Sequence, residues 1–259
     1  MKALITGASS GIGRDIAREL HSRGYEIIAV ARRRERLDEL KKELANVEIM
    51  CADVTKDEDI ERISARAEEV DIFVNNAGFG TFGEFNGTDT GEELSMIDTN
   101  IRAVHLLMKA FVKEFKKRGS GHILNVASLA AFFPGPLFAT YYATKAYVLR
   151  LSLAVSEELR RSKSKVKISV LCPGPVNTEF SDVAGMSFGV DKFRAARLVV
   201  LDSRKVAKYT VKKMLKGKKV IVPSFLMKAV IFSRHFFSET FLARIIYKVQ
   251  NMKFIRGEK

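Results

Sequence analysis

Lys2-Ala3-Leu4-Ile5-Thr6-Gly7-Ala8-Ser9-Ser10-Gly11-Ile12-Gly13 opens the chain and decides how its fold is read. The first residues form a short apolar run with the character of a buried strand. Gly7, Gly11 and Gly13 follow, and then Ile16, Ala17 and Leu20 recur at helical spacing. A strand, a glycine-rich turn and a helix make the first half of a dinucleotide-binding unit. Glycine permits a tight turn and lets the backbone approach a pyrophosphate closely. The free N–H groups at the helix start, with the helix dipole, favour an anion. A Gly-x-x-x-Gly-x-Gly run also suits a plain structural turn. Its place between an opening strand and a helix favours cofactor binding and marks Gly7, Ser9, Ser10, Gly11, Ile12 and Gly13 as contacts.

The same pattern continues outward. Strand-like runs lie at 2–6, 25–31, 47–50, 71–74, 121–127, 166–171 and 219–222, with helical patterns at 11–23, 35–45, 56–69, 91–117, 140–162 and 203–216. This alternation predicts a parallel sheet covered by helices on both faces, with ligands beyond the carboxyl ends of the strands. A chain of 259 residues, 47% apolar and 29% charged, suits one such α/β domain. Cys51 and Cys172 both sit in apolar strand-like runs, which predicts two buried thiols rather than a disulfide, and no metal-ligand spacing is present.

Tyr141-Tyr142-Ala143-Thr144-Lys145, with Ser128 upstream, supplies the chemistry. A phenol titrates near pH ~10 and is a poor acid–base catalyst at neutral pH. Lys145 lies one helical turn from Tyr141 on the same face, where its charge is expected to lower the phenol pKa. Ser128 could hold a substrate oxygen against that phenol, giving a proton-transfer site for an alcohol/carbonyl pair. Tyr142 sits three residues before Lys145 instead of four, and a packing or substrate-lining role suits it better.

Thr6–Gly13, Asp53-Val54, Asn75-Asn76-Ala77-Gly78, Asn100, Ser128, Tyr141-x-x-x-Lys145 and Pro173-Gly174-x-Val176-x-Thr178 together resemble the short-chain dehydrogenase/reductase family in order and spacing, over roughly residues 1–222. The resemblance implies a Rossmann-type doubly wound parallel sheet of about seven strands with helices on both faces, in a single dinucleotide-binding and catalytic domain. It implies Asn100, Ser128, Tyr141 and Lys145 as the catalytic set, with Asn100 anchoring a water that relays protons to Lys145. Lys145 would also hold the nicotinamide ribose. Asp53, backed by Val54, would bind the adenine amino group. Asn76 would tie its turn together, Ala77 and Gly78 would leave room for the adenosine ribose, and Pro173, Gly174, Val176 and Thr178 would contact the nicotinamide and its phosphate. A homodimer or homotetramer is the expected assembly.

The second strand ends in Ala31-Arg32-Arg33-Arg34-Glu35-Arg36 instead of a carboxylate. A carboxylate there accepts hydrogen bonds from the ribose hydroxyls and repels a 2′-phosphate, whereas a guanidinium matches a phosphate in charge and shape. NADP(H) is therefore favoured over NAD(H), with Arg32 as first candidate, Arg33 as second, and Ser10 in reach.

Phe79, Phe82, Phe85, Phe132, Phe133 and Phe138 flank these motifs, and a substrate loop is expected at about 179–202, with Phe180, Val183, Met186, Phe188, Val190 and Phe193. A hydrophobic pocket follows for a small carbonyl or alcohol substrate; phenylalanines that merely pack loops onto the core are the competing account. Residues 223–259 form an extension with apolar residues at three- and four-residue spacings, which predicts one or two amphipathic helices. Charged residues interrupt the run, so it is no membrane span. It could cover the pocket, form a subunit interface or make peripheral contact with a membrane.

The formal net charge is +14. No nucleic-acid motif or stacking platform accompanies the basic residues, so solvated faces are expected and nucleic acid is not a predicted partner. The opening residues lack the pattern of a signal peptide, and the cytoplasm is the expected compartment, with membrane association as the variant. Gln250 is the only glutamine, a weak sign of heat adaptation. His21, His105, His122 and His235 have no catalytic neighbours. Two other functions stand beside this one: a 3-oxoacyl-thioester reductase of lipid synthesis, which shares every motif, and a non-catalytic NADP-binding regulator, which would keep the glycine turn but need not keep Asn100, Ser128, Tyr141 and Lys145.

Overall fold

The opening strand β1 (Lys2–Thr6) buries both faces, because Ala3 and Ile5 point to one side of the sheet and Leu4 to the other. The same two-sided alternation recurs in β2 (Glu26–Ala31) and β4 (Ile72–Asn75), where Ile27, Ala29, Ile72 and Val74 face one layer and Ile28, Val30 and Phe73 the other. This computed structural model describes residues 1–180, 184 and 200–257, with side chains as far as residue 251.

With β3 (Val47–Cys51), β5 (His122–Val126) and β6 (Lys167–Leu171), a two-residue pair β7 (Val176–Asn177) and β8 (Leu201–Asp202), and β9 (Val220–Ile221), the described strands form two sheets. The main sheet has seven strands in the order β3-β2-β1-β4-β5-β6-β9, all parallel. Helices α1 (Gly11–His21) and α2 (Arg34–Glu43) cover one face, α3 (Asp57–Ala65) the other. The strand order reverses between β1 and β4, which opens a crevice at their carboxyl ends.

The pattern over 91–117 is not one helix. It splits into α4 (Thr90–Ile97), a π-helical turn (Asp98–Ala103) and α5 (Val104–Arg118). Then come α6 (Ala139–Arg161) and α7 (Ser203–Leu215), the latter packed on α1. The extension folds as two helices, α8 (Phe225–Ser233) and α9 (Glu239–Gly257), joined by a 3₁₀ turn over Arg234–Phe236. The expected amphipathicity is not found in α8: Met227 is buried while Phe225, Leu226 and Phe232 stand in solvent, so it is apolar on both sides. Among the described residues no helix is long and apolar enough to cross a membrane.

Cys172 is buried as expected, and its thiol is pushed up to about 12. Cys51 is not: it is exposed. It closes β3, the edge strand, whose outer residues have no neighbouring strand to cover them.

His122 sits inside the sheet on β5, its Nε2 2.9 Å from Ser169 Oγ. Ser169 Oγ donates its own proton to the Lys218 carbonyl, so Nε2–H of His122 is the donor of the pair. Burial, helped by the Lys167 charge, lowers the imidazole pKa from 6.5 to about 4. The folded state thus prefers neutral imidazole: its stability is full above pH 6.5 and is lost as pH falls toward 4, by about 3 kcal/mol from this residue. Thermal unfolding across that window should show the loss, and His122→Gln should flatten it; an equally steep profile in the variant refutes the assignment.

Candidate active site

The glycine turn is held by its neighbours across the crevice. Gly7 and Gly11 adopt positive φ angles of 67° and 53°, open to glycine at little cost. Asn76 Nδ2 donates to the carbonyls of Thr6 (2.9 Å) and Gly7 (3.2 Å), and Thr6 Oγ1 accepts from the backbone N–H groups of Asn76 and Ala77. A Cβ on Gly13 would collide with the Gly7 carbonyl and the Asn76 amide. Ser10, the N-cap of α1, makes no side-chain capping bond, so the first N–H groups of the helix stay open toward the crevice.

One cleft of about 770 Å³ runs from this turn across the sheet end. Its wall includes Ser128, Tyr141 and Lys145 and every residue expected to touch the dinucleotide, from Gly7 through Arg32, Arg33, Asp53, Val54 and Gly78 to Pro173, Gly174, Val176 and Thr178. Asn100 is the exception. It is fully buried behind the wall, in the π-helical turn. Its Nδ2 donates to Phe79 O (2.8 Å) and to Thr144 Oγ1 (3.1 Å), and its Oδ1 accepts from Phe79 N (3.1 Å). Asn100 therefore pins the chain just after Gly78 to helix α6. A Cβ on Gly78 would stand 2.7 Å from Asn100 Oδ1 and 3.2 Å from Lys145 Nζ, so only glycine lets the three meet.

Tyr141 and Lys145 share one face of α6 and are both buried. Lys145 Nζ donates to Val126 O at 3.1 Å and lies 5.7 Å from the Tyr141 ring centre. Burial lowers the Lys145 pKa from 10.5 to about 8. The expected drop in the Tyr141 pKa is not found: burial drives it upward, although the hydrogen bond with Ser128 works the other way. A phenolate in this apolar setting would lose more hydration than the Lys145 ammonium returns at that separation. Ser128 Oγ also accepts from Ala130 N (3.1 Å), which fixes its rotamer.

The arginines part company. Arg33 donates to Ser9 Oγ (3.2 Å) and Ser10 Oγ (3.0 Å), placing its guanidinium over the start of α1. Arg32 lies instead toward Asp53. Burial works to raise the Asp53 carboxyl, but hydrogen bonds from Thr55 and the Arg32 charge hold it below the usual range. Both arginines line the cleft, with Arg33 against the serines at the start of α1 and Arg32 toward Asp53. Glu179, missed in the sequence, pairs with Arg33 (2.9 Å) and Arg36 (3.7 Å). The Arg33 hydrogen bond depresses its pKa. Its position directly after Thr178 was the available signal.

The far end of the cleft is aromatic. Tyr141 stacks on Phe138 at 4.3 Å and meets Phe180 at 5.3 Å. Phe79, Phe133, Phe138 and Phe180 line the cleft, whereas Phe82 packs against Phe138 from behind and Phe85 is exposed. Phe132 lies under the Arg234 guanidinium. Both accounts of the phenylalanines therefore hold in part. Val183, Met186, Phe188, Val190 and Phe193 lie outside the described residues. The C-terminal extension completes the wall with Leu242, Ile245, Ile246 and Val249, and Gln250 Nε2 donates to Tyr142 Oη at 3.1 Å. That bond ties Tyr142 to the C-terminal helix. Gln250 was noted only for its rarity, yet it lies beside Ile246 and Val249 on the cleft wall.

The dinucleotide reading passes a steric test here: a turn with no room for a Cβ at Gly13, open helix N–H groups and a seated guanidinium together fit a phosphate-bearing cofactor.

The family model for short chain dehydrogenases matches residues 1–185. An uncharacterised oxidoreductase of Staphylococcus epidermidis is 34% identical over 195 residues, which is 73% of this chain and 83% of that protein. The farnesol dehydrogenase of Aedes aegypti is 35% identical over 190 residues, 68% of this chain and 78% of that enzyme. Among solved structures, a short-chain dehydrogenase from Sphingobium yanoikuyae in complex with NADPH superimposes with a TM-score of 0.79 at 29% identity, covering 90% of this chain and 93% of that one. One from Burkholderia phymatum in complex with NAD gives 0.80 at 25% identity, covering 90% and 92%. With the parallel sheet and the ordered motifs in place, the chain belongs to the short-chain dehydrogenase family of oxidoreductases.

Proposed function

We propose that this chain is an NADP(H)-dependent oxidoreductase that interconverts a carbonyl and a secondary alcohol on a hydrophobic substrate, with Tyr141 as general acid and base. One observation carries the reading: a single cleft holds Arg33 over Ser9 and Ser10 at one end, Ser128, Tyr141 and Lys145 in the middle, and apolar side chains at the other. The NADPH complex of the Sphingobium structure and the farnesol dehydrogenase relative support the cofactor and the apolar alcohol respectively, and the NAD complex of the Burkholderia structure keeps the cofactor open to test.

The bound nicotinamide supplies or accepts the hydride. The chain does the rest. Ser128 and Tyr141 donate hydrogen bonds to the substrate oxygen, where negative charge grows during reduction. Tyr141 then passes it a proton, or takes one in oxidation. At neutral pH the raised phenol pKa keeps that proton in place, and Lys145 stays charged until pH rises through about 8, so both groups are poised for reduction. Asn100 holds the turn after Gly78 against α6, which fixes the distance between the two halves of the site.

Oxidation of NADPH and NADH with a series of ketones, aldehydes and 3-oxoacyl thioesters tests the reading; a preference for NADH sinks the cofactor assignment. Arg33→Ala should raise the KM for NADPH by roughly 10- to 100-fold, the worth of a charge-assisted hydrogen bond to phosphate, and leave that for NADH nearly unchanged. Glu179→Gln should lower the KM for NADPH, since it frees Arg33.

A further inference from the structure

The two C-terminal helices face both ways. Their inner sides line the cleft, with Val230, Phe237, Leu242 and Val249 among the wall residues. Their outer sides carry the largest exposed aromatic surface among the described residues. Phe225 is 85%, Phe232 64% and Phe236 72% exposed. Phe225, Ala229 and Phe232 fall on one stripe of α8 at four- and seven-residue spacing, and Phe236 meets Phe232 edge-on at 5.6 Å. Phe237 stacks on Phe241 at 5.1 Å and continues the surface onto α9. A helix apolar on both sides needs a cover on both, and the described residues cover only one.

The charge around this surface is predominantly positive. Residues 223–259 hold seven Lys and Arg against two Glu. None of Lys228, Arg234, Arg244 and Lys248 takes part in an ion pair among the described residues; Lys228 and Arg234 spend their hydrogen bonds on Tyr209 and on Phe132 O. Arg244 and Lys248 rim a shallow groove floored by Pro136, Phe241, Ile245 and Tyr247. Apolar floor and cationic rim together match an acyl chain below an anionic headgroup. Phe237, Ile245 and Val249 are at once exposed and on the cleft wall, so the cleft opens onto this surface.

We infer that α8, the 3₁₀ turn and the start of α9 dock on the surface of an anionic lipid bilayer, with Phe225, Phe232 and Phe236 inserted and Arg244 and Lys248 among the headgroups, so that an apolar substrate enters the cleft from the membrane. The entry route rests on the proposed hydrophobic substrate; the docking does not. No described helix can span a bilayer, so this one lies on it. A second copy is the poorer occupant, because a two-fold contact would set this basic rim against itself.

Vesicle flotation of the full chain decides the matter. Vesicles of equal phosphatidylglycerol and phosphatidylcholine should carry the protein in low salt; vesicles of phosphatidylcholine alone should carry much less, and high salt should release it. Phe225→Asp/Phe232→Asp/Phe236→Asp should cut partitioning by about a thousandfold or more, the loss of three inserted rings. Arg244→Glu/Lys248→Glu should weaken it on phosphatidylglycerol specifically. The proposal is overturned by wild-type protein that stays unbound with phosphatidylglycerol, or by a triple variant that floats as well as wild type. It is equally overturned if sedimentation velocity finds a dimer that the triple variant splits, with neither form binding vesicles. NADPH-dependent turnover of a water-soluble ketone, measured on both proteins, separates this from the proposed activity: retained turnover without flotation refutes docking alone, and flotation without turnover refutes the activity alone.

Discussion

Tyr141→Phe is expected to fold, to bind dinucleotide and to lose about a thousandfold or more in kcat. The ring keeps its stack on Phe138 and its place in the aromatic cluster with Met96 and Phe180, so only one hydroxyl is lost. That hydroxyl has two duties in the proposed reaction. General acid catalysis by a positioned group is worth about 10²–10⁴, and one donor to a developing oxyanion about 10²–10³. The two overlap in a single O–H, so they do not multiply. Steady-state kinetics beside a thermal melt and a cofactor titration measure this; activity above a tenth of wild type would remove Tyr141 from the role. Tyr142→Phe is the control. It deletes the hydrogen bond from Gln250 and should change kcat only a few-fold, because that phenol is committed to the C-terminal wall.

Gly13→Ala should abolish dinucleotide binding and destabilise the chain, with a fall in Tm of roughly 10 °C. The added methyl meets the Gly7 carbonyl and the Asn76 amide, neither of which is the free end of a flexible side chain. Asn76 is tied to Thr6 and Gly7, so relieving the clash breaks bonds that shape the turn. Overpacking of this kind costs about 1–3 kcal/mol, and each lost hydrogen bond about 1 kcal/mol more. For a domain of this size each kcal/mol lowers Tm by about 2–4 °C. Gly24→Ala gives the contrast: a Cβ there meets nothing within 4 Å, and only the φ of 84° is strained. It should cost about 1 kcal/mol and leave cofactor affinity intact. Wild-type affinity in Gly13→Ala would mean that the turn is not the phosphate cradle.

Much of this was legible in the sequence because the governing interactions are local. The central strands read correctly since two buried faces leave apolar runs such as Ala3–Ile5, Ile27–Ala31 and Ile72–Val74. The glycine turn between strand and helix and the shared face of Tyr141 and Lys145 read correctly because their spacing is fixed by one turn of chain. Long-range features were hidden. The π-helical turn at Asn100 leaves the apolar periodicity of 91–117 almost undisturbed, yet it buries the asparagine behind the cleft. Cys51 reads as a core residue until the sheet order places its strand at the edge. Arg32 and Arg33 are equivalent in sequence, and only the turn after β2 sends one toward Asp53 and the other over Ser10. Glu179 reaches Arg33 from the opposite side of the crevice, through a pairing that no local pattern encodes.

The Gln250–Tyr142 bond spans 108 positions and joins the last helix to the helix that carries Tyr141 and Lys145. It divides the molecule along the order of its synthesis. Every proposed contact to the dinucleotide and every member of the proposed proton-transfer set has left the ribosome by Thr178, whereas Leu242, Ile245, Ile246 and Val249 of the wall arrive only with α9. The proposed chemistry and the C-terminal part of the apolar wall are thus written in separate stretches of the chain. Under the proposed function, rewriting α9 changes part of the apolar wall without touching the residues assigned to hydride and proton transfer.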